Sequence, residues 1–240
     1  MSKKAIIIGA SAGIGRALAL AMSKAGYEVG ITARRIERLQ SLQTEMLTKS
    51  YVKVMDISKA EEARTQLAEL VAEMGGMDII VLNSAVGHGF LAWETDKEMI
   101  MINTLGTVAL GDWAVAFFKK QEKGHLVGIS SVAMHRAFRE AIVYSATKSF
   151  LSAYLQGVRH YFVHKKGAFT VTDIRPGYVE TFMTSQNDPK KMIWVTKADK
   201  AADYILAAIE KKRKVAYISP RWWILGKVMA WLPDWLAHKA

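Results

Sequence analysis

The 240-residue sequence contains no cysteine. Disulfides, thiolate metal sites and cysteine nucleophiles are therefore excluded, in keeping with a reducing compartment. It also lacks any run of 18 apolar residues, so a conventional membrane-spanning helix is not expected. The start, Met1-Ser2-Lys3-Lys4 followed by an apolar run, imitates a secretory leader, but the run stops at Gly9 after four residues. That is too short for a signal core and reads as a first strand. Acids are also scarce: 22 Asp and Glu stand against 33 Lys and Arg, a net charge of +11. Such an excess draws phosphates or anionic lipid, or simply solvates a surface. Basic residues interleaved with aromatics in a recognition pattern are missing, so nucleic acid is not an expected partner.

Repeats, low-complexity stretches and linkers are absent as well, and what remains is a steady alternation of strand-like and helix-like segments. Apolar runs at 5–8, 29–32, 52–55, 79–82, 126–129, 169–174 and 215–218 read as strands. Helical spacing recurs at 13–25, 36–47, 61–73, 96–121, 144–164 and 198–210. Alternation of this kind predicts an α/β fold, a Rossmann-like doubly wound parallel sheet of about seven strands with helices on both faces. One domain is expected: residues 1–220 would carry both cofactor and catalytic sites, with 221–240 an apolar, tryptophan-rich tail of the same domain.

Directly after the first strand comes Gly9-Ala10-Ser11-Ala12-Gly13-Ile14-Gly15, running into a helix. Glycines there allow a sharp turn and a close approach to a pyrophosphate, while the helix start offers N–H groups to its charge. A dinucleotide with a free adenine ribose usually meets an acid about 20 residues further on. Ala33 lies 18 residues past Gly15, and from Gly30 to Arg35 there is no acid. Arg34 and Arg35 stand there instead, suited to a 2′-phosphate and hence to NADP(H). The alternative is that they only solvate the following helix.

Tyr144 and Lys148 are four residues apart and share a helix face. A neighbouring ammonium favours the phenolate and should draw the phenol's pKa from about 10 toward neutrality. Such a phenol exchanges protons with a carbonyl or alcohol oxygen. Ser131, 13 residues earlier at the end of a predicted strand, places a hydroxyl where it could hold that oxygen.

Together these pieces resemble the short-chain dehydrogenase/reductases, over about residues 4 to 220. The motifs occur in that family's order: the glycine loop, Asp56, Asn83-Ser84-Ala85-Val86-Gly87, Asn103, Ser131, Tyr144-xxx-Lys148 and Pro176-Gly177-Tyr178-Val179-Glu180-Thr181. The resemblance implies an NADP(H)-dependent oxidoreductase interconverting a carbonyl and an alcohol. It makes Tyr144 the general acid/base and Ser131 the group that orients the carbonyl. Lys148 would hold the nicotinamide ribose and lower the tyrosine pKa, and Asn103 would position a water relaying protons to Lys148. Asp56 and Ile57 would contact adenine, Asn83 and Ala85 the adenosine side, and Val179 and Thr181 the carboxamide. Ser11 and Arg34 match the NADP-preferring branch. Ile8 stands where relatives carry a threonine whose hydroxyl ties the first strand to the Asn-rich turn. A homodimer or homotetramer built on the helices at 96–121 and 144–164 is also implied. A non-catalytic dinucleotide-binding protein on the same fold is the alternative reading, but such proteins usually lose the tyrosine or lysine.

His160 and His164 have the i, i+4 spacing of a helical metal pair but lack a third ligand, so no metal site is expected. His88 and His135 follow predicted strand ends and either border the substrate pocket or are solvated. Phe182, Met183, Met192, Ile193 and Trp194, in a segment that forms a lid in the family, suggest an apolar substrate or ordinary loop packing. The tail carries Trp222, Trp223, Trp231 and Trp235, preceded by the basic stretch 211–214. It suits a helix lying in a membrane interface, a flap over the substrate mouth or a subunit contact. The expected location is cytoplasmic, with surface membrane association left open.

Overall fold

In β1 (Lys4–Ile8), Ala5, Ile6 and Ile7 are fully buried, and β4 (Ile79–Leu82) is buried along its whole length. Apolar runs buried on both faces form strands covered by helices on each side. The computed structural model describes residues 2–88, 92–163, 168–186, 192–231 and 233. The remaining strands are β2 (Glu28–Ala33), β3 (Ser50–Val54), β5 (Lys123–Ile129), β6 (Ala168–Pro176) and β7 (Val215–Ile218). All seven pair in parallel in the order β3-β2-β1-β4-β5-β6-β7.

The period-two alternation of each strand builds two cores. Ala5 and Ile7 join α1 (Gly13–Lys24), α2 (Ile36–Thr44) and α7 (Ala198–Glu210) on one face. Ile6 and Ile8 join α3 (Ala60–Met74), α5 (Thr107–Gln121) and α6 (Ile142–Phe162) on the other. Strand order reverses between β1 and β4, and in such sheets the crevice at the strand carboxyl ends is the usual ligand site. The glycine loop and the Asn83 turn both emerge there.

One long helical segment departs from expectation. It begins with α4 (Trp93–Ile100), widens to a π-helical turn at Met101–Gly106, and continues as α5. Gly106 explains the contact made by that turn, since a Cβ there would lie 2.0 Å from the Ile57 carbonyl oxygen. Although the 29-residue run is long and apolar enough to cross a bilayer, its Leu110, Ala114 and Phe118 belong to the protein's own core.

The chain then ends, within the described residues, in α8 (Pro220–Trp231) and Pro233. Trp222 and Gly226 face inward, while Trp223, Ile224, Val228 and Trp231 are exposed. Trp222 fills the space above Gly177, where a Cβ would lie 1.9 Å from its ring, and it meets Tyr178 and Trp194 edge-on. The basic stretch 211–214 precedes β7 and α8 follows it, so the strand separates the two and those four residues do not flank the helix. Trp235 and His164 lie outside the described residues.

Candidate active site

At Gly9 the backbone takes φ +88°, and the N–H groups of Gly9 and Ala10 both donate to Thr32 O at 2.9 Å. A positive φ of this size suits glycine. Gly15 is needed for closeness, because a Cβ would sit 2.2 Å from Gly9 O and 2.5 Å from Asn83 Nδ2. Asn83 donates through that amide to Gly9 O at 2.8 Å, and its backbone N–H donates to Ile8 O at 3.2 Å. Strand one therefore remains tied to the Asn-rich turn although Ile8 brings no hydroxyl. Ile14 packs against the first core, and Ala85 is half-buried in the turn. No side chain caps α1 at Ala12. Thr181 closes over the loop from the far side, 2.9 Å from where a Cβ on Gly13 would be.

The two arginines diverge. Arg35 donates to Ser11 Oγ at 3.3 Å, whereas Arg34 leans 3.8 Å from Glu98, whose other oxygen meets His88 Nε2 at 3.2 Å. A cleft of about 440 Å³ opens beside Ser11 and Gly13, with Arg38 and Ser41 of α2 on its wall. Arg38 had no sequence signal beyond lying in a charged helix. Arg16, also on this wall, is engaged with both oxygens of Glu45 at 2.6 and 2.7 Å. Asp56 closes the turn after β3 by accepting from the Ser58 N–H and hydroxyl at 3.0 and 2.8 Å. Ile57 is buried beneath it.

Across the crevice, the end of β5 faces the first turns of α6. Ser131 accepts the Ala133 N–H at 3.1 Å and approaches Pro176 O at 3.5 Å, and its hydroxyl stands beside the Tyr144 phenol. One turn along α6, Lys148 donates to Ile129 O at 2.9 Å, with Nζ 5.6 Å from the Tyr144 ring centre. Gly87 sits beside this pair, where a Cβ would lie 3.3 Å from both Met183 Sδ and the Tyr144 ring. The segment after Gly177 and the Tyr144 ring thus approach the same glycine. Asn103, buried in the π-helical turn, pairs with the Val86 backbone through both amide atoms at 2.9 and 2.8 Å, and donates to Thr147 Oγ1 at 3.2 Å. It therefore fixes the Asn-rich turn against α6.

The phenol's acidity runs against expectation. Burial pushes Tyr144 up to about 12, with the Ser131 hydroxyl pulling the other way. Burial also brings Lys148 down to about 8, opposed by the Asp173 carboxylate. Loss of water outweighs the neighbouring ammonium, which is itself desolvated and turned to a carbonyl.

The histidines divide similarly. His135 is half-buried, hydrogen-bonded to Tyr217 Oη at 2.8 Å and stacked on its ring, with burial lowering its pKa. It also packs against α8 at Gly226. His160 is exposed on α6.

Comparison with known proteins agrees with this geometry. Residues 3–192 match the short chain dehydrogenase family. An uncharacterized oxidoreductase of Myxococcus xanthus is 34% identical over 195 residues, covering 78% of this chain and 76% of its own. Among solved structures, a 3-ketoacyl-(acyl-carrier-protein) reductase from Brucella melitensis complexed with NADH superposes with TM-score 0.80 at 22% identity, covering 90% of this chain and 95% of that one. An alcohol dehydrogenase from the archaeon Thermococcus sibiricus complexed with 5-hydroxy-NADP gives 0.77 at 26% identity, with the same coverages. A family match over six of the seven strands, the crevice and α6 settles the kinship: the chain belongs to the short chain dehydrogenase family of oxidoreductases.

Proposed function

We propose that this protein is an NADP(H)-dependent oxidoreductase that interconverts a carbonyl and an alcohol, with Tyr144 as general acid/base. One observation carries the reading: the Tyr144 phenol stands beside the Ser131 hydroxyl, with Lys148 Nζ 5.6 Å from its ring centre, at the crevice of a dinucleotide-type sheet. The residues fit the cofactor. Gly9 and Gly15 form a turn that a side chain would block, and the start of α1 is left without a side-chain cap. Gly9, Ser11, Gly13, Ile14 and Gly15 would hold the diphosphate, and Arg34 with Arg35 the 2′-phosphate. Asp56, Ile57, Asn83 and Ala85 would receive the adenosine end. Lys148 would hold the nicotinamide ribose, with Pro176, Gly177, Val179 and Thr181 beside the carboxamide. When bound, the nicotinamide supplies or accepts the hydride.

Ser131 donates to the substrate oxygen and fixes its place. Tyr144, kept protonated through neutral pH by burial, gives that oxygen its proton during reduction. The protonated phenol is the form that reduction needs, and the reverse oxidation of an alcohol needs the phenolate. Asn103 holds the turn that borders the phenol and supports a water relay to Lys148. In the test, NADPH oxidation is followed with aldehydes of graded chain length while NADPH binding is titrated by fluorescence. Tyr144→Phe should bind NADPH like the parent and lose nearly all turnover, and comparable turnover in the variant would remove Tyr144 from the mechanism.

An apolar substrate is supported by Met183 beside Gly87 and by the cluster of Tyr178, Trp194 and Trp222 at Gly177. The outer face of α8 supports peripheral contact with an anionic membrane on the cytoplasmic side. Trp223, Ile224, Val228 and Trp231 are exposed there with Arg221 and Lys227, and from 211 to 233 the sequence has no acid. A homodimer is supported by exposed Ile100, Leu105, Ile142 and Phe150 on and between α4 and α6.

A further inference from the structure

Tyr144, Lys148 and Ser152 follow one another at four-residue intervals along one face of α6. Each faces a different partner at the ends of the central strands. Tyr144 meets Ser131, Lys148 donates to Ile129 O at 2.9 Å, and Ser152 donates to Asp173 Oδ2 at 2.7 Å. Ser130, the residue between the first two partners and just past β5, is tied to the third: its hydroxyl donates to Asp173 Oδ1, and its backbone N–H to Ile174 O at 2.8 Å. Asp173 is 1% exposed, and Arg175 donates to it through Nε at 2.8 Å. Arg175 also donates to Ser152 Oγ at 3.0 Å and to Tyr217 Oη at 2.9 Å, and Tyr217 meets His135.

We propose that Ser130, Ser152, Asp173 and Arg175 form a positioning network for the reaction, in which Asp173 clamps the end of β5 to α6 and sets a buried negative charge against Ser152, one helical turn from Lys148. The inference rests on the roles proposed for Tyr144 and Lys148. An unpaired buried carboxylate is costly, and this one is paired, hydrogen-bonded on both oxygens and set between strand and helix. A purely structural bridge would be satisfied by Arg175 alone. Here two serines, one beside Ser131 and one a turn beyond Lys148, bring the carboxylate to both halves of the reacting set. Burial drives Lys148 toward neutrality and Asp173 opposes it. The other charged or titratable groups facing the network are Tyr144 and Arg159 of α6, Arg175 of β6, Tyr217 of β7, His135 and, through His135, Lys227 of α8.

Because the ammonium is the working form, activity is lost as pH rises through the Lys148 pKa, and weakening its counter-charge brings that loss to lower pH. The full chain would be labelled with ¹³Cε-lysine, with Lys148→Met identifying the resonance. Asp173→Asn should lower the Lys148 midpoint by roughly one pH unit, the scale of a nearby opposite charge. It should cut kcat for NADPH-dependent decanal reduction by about five-fold at pH 8, with NADPH affinity within about two-fold. An unmoved midpoint, with activity lost evenly across pH, would overturn the proposal. Should Asp173→Asn not fold, Ser152→Ala is expected to lower kcat several-fold at unchanged NADPH affinity, with Ser152→Thr restoring it. Full kcat in Ser152→Ala would be equally fatal. Retained turnover in Tyr144→Phe strikes the catalytic roles themselves, whatever Asp173→Asn does.

Discussion

At the scale of single residues, the least foreseeable property is acidity. Spacing alone puts Lys148 one turn from Tyr144, but the phenol's pKa depends on how much water each group loses, and sequence separation does not encode that. The proposed cofactor choice rests on local features, the absence of an acid at 30–35 and the presence of two guanidinium groups. Arg35 reaches Ser11 Oγ and Arg34 turns toward Glu98, so the pair brackets the end of β2. Alanine at either position should weaken NADPH binding by about 1.5–3 kcal/mol, the worth of a hydrogen bond to a charged group, and leave NADH nearly untouched. Fluorescence titration with both nucleotides decides the matter. Equal losses for the two would make the arginines structural.

At the scale of elements, the strands at 79–82 and 215–218 and the helix at 198–210 were legible to the residue, since each has a clean period and a clear stop. The helix expected from 96 begins instead at Trp93 and carries a π-helical turn. That turn packs Gly106 against Ile57, nearly 50 residues away, a contact no local window registers. Asp173 and Ser130 escaped notice for the same reason, being adjacent in space and distant in sequence. The tail's apolar character was evident, but its division into a packed face and a free face was not. That division allows a clean experiment on the proposed membrane contact. Replacing Trp223, Ile224 and Trp231 by serine should leave folding intact, as all three are exposed. Co-sedimentation with phosphatidylserine-containing vesicles should be strong for the parent, weaken in salt and fail for the variant. Equal sedimentation of both proteins would rule out α8 as the anchor.

At the scale of the whole molecule, the sheet order and the two cores follow from right-handed crossovers between buried parallel strands, and they fix the crevice before any site residue is considered. What one chain leaves uncovered points to assembly. Ile100, Leu105, Ile142 and Phe150 are each 44 to 48% exposed, and α4 packs against α6, so these residues border a single region. Light scattering on the eluting protein should give about twice the 26.7 kDa chain mass, and Leu105→Glu with Phe150→Glu should return it to that of one chain. A parent that elutes as a single chain, or a variant of unchanged mass, would place the subunit contact elsewhere or nowhere.

Trp222, seated where Gly177 leaves no room for a methyl group, gives α8 a packing duty besides the membrane contact proposed for it. Trimming the last helix to make the protein better behaved would also strip out a wall beside the proline–glycine turn at the crevice. Any loss of activity in so shortened a protein would report a broken pocket rather than a missing anchor. The two faces of the helix must therefore be edited separately before either can be assigned a task.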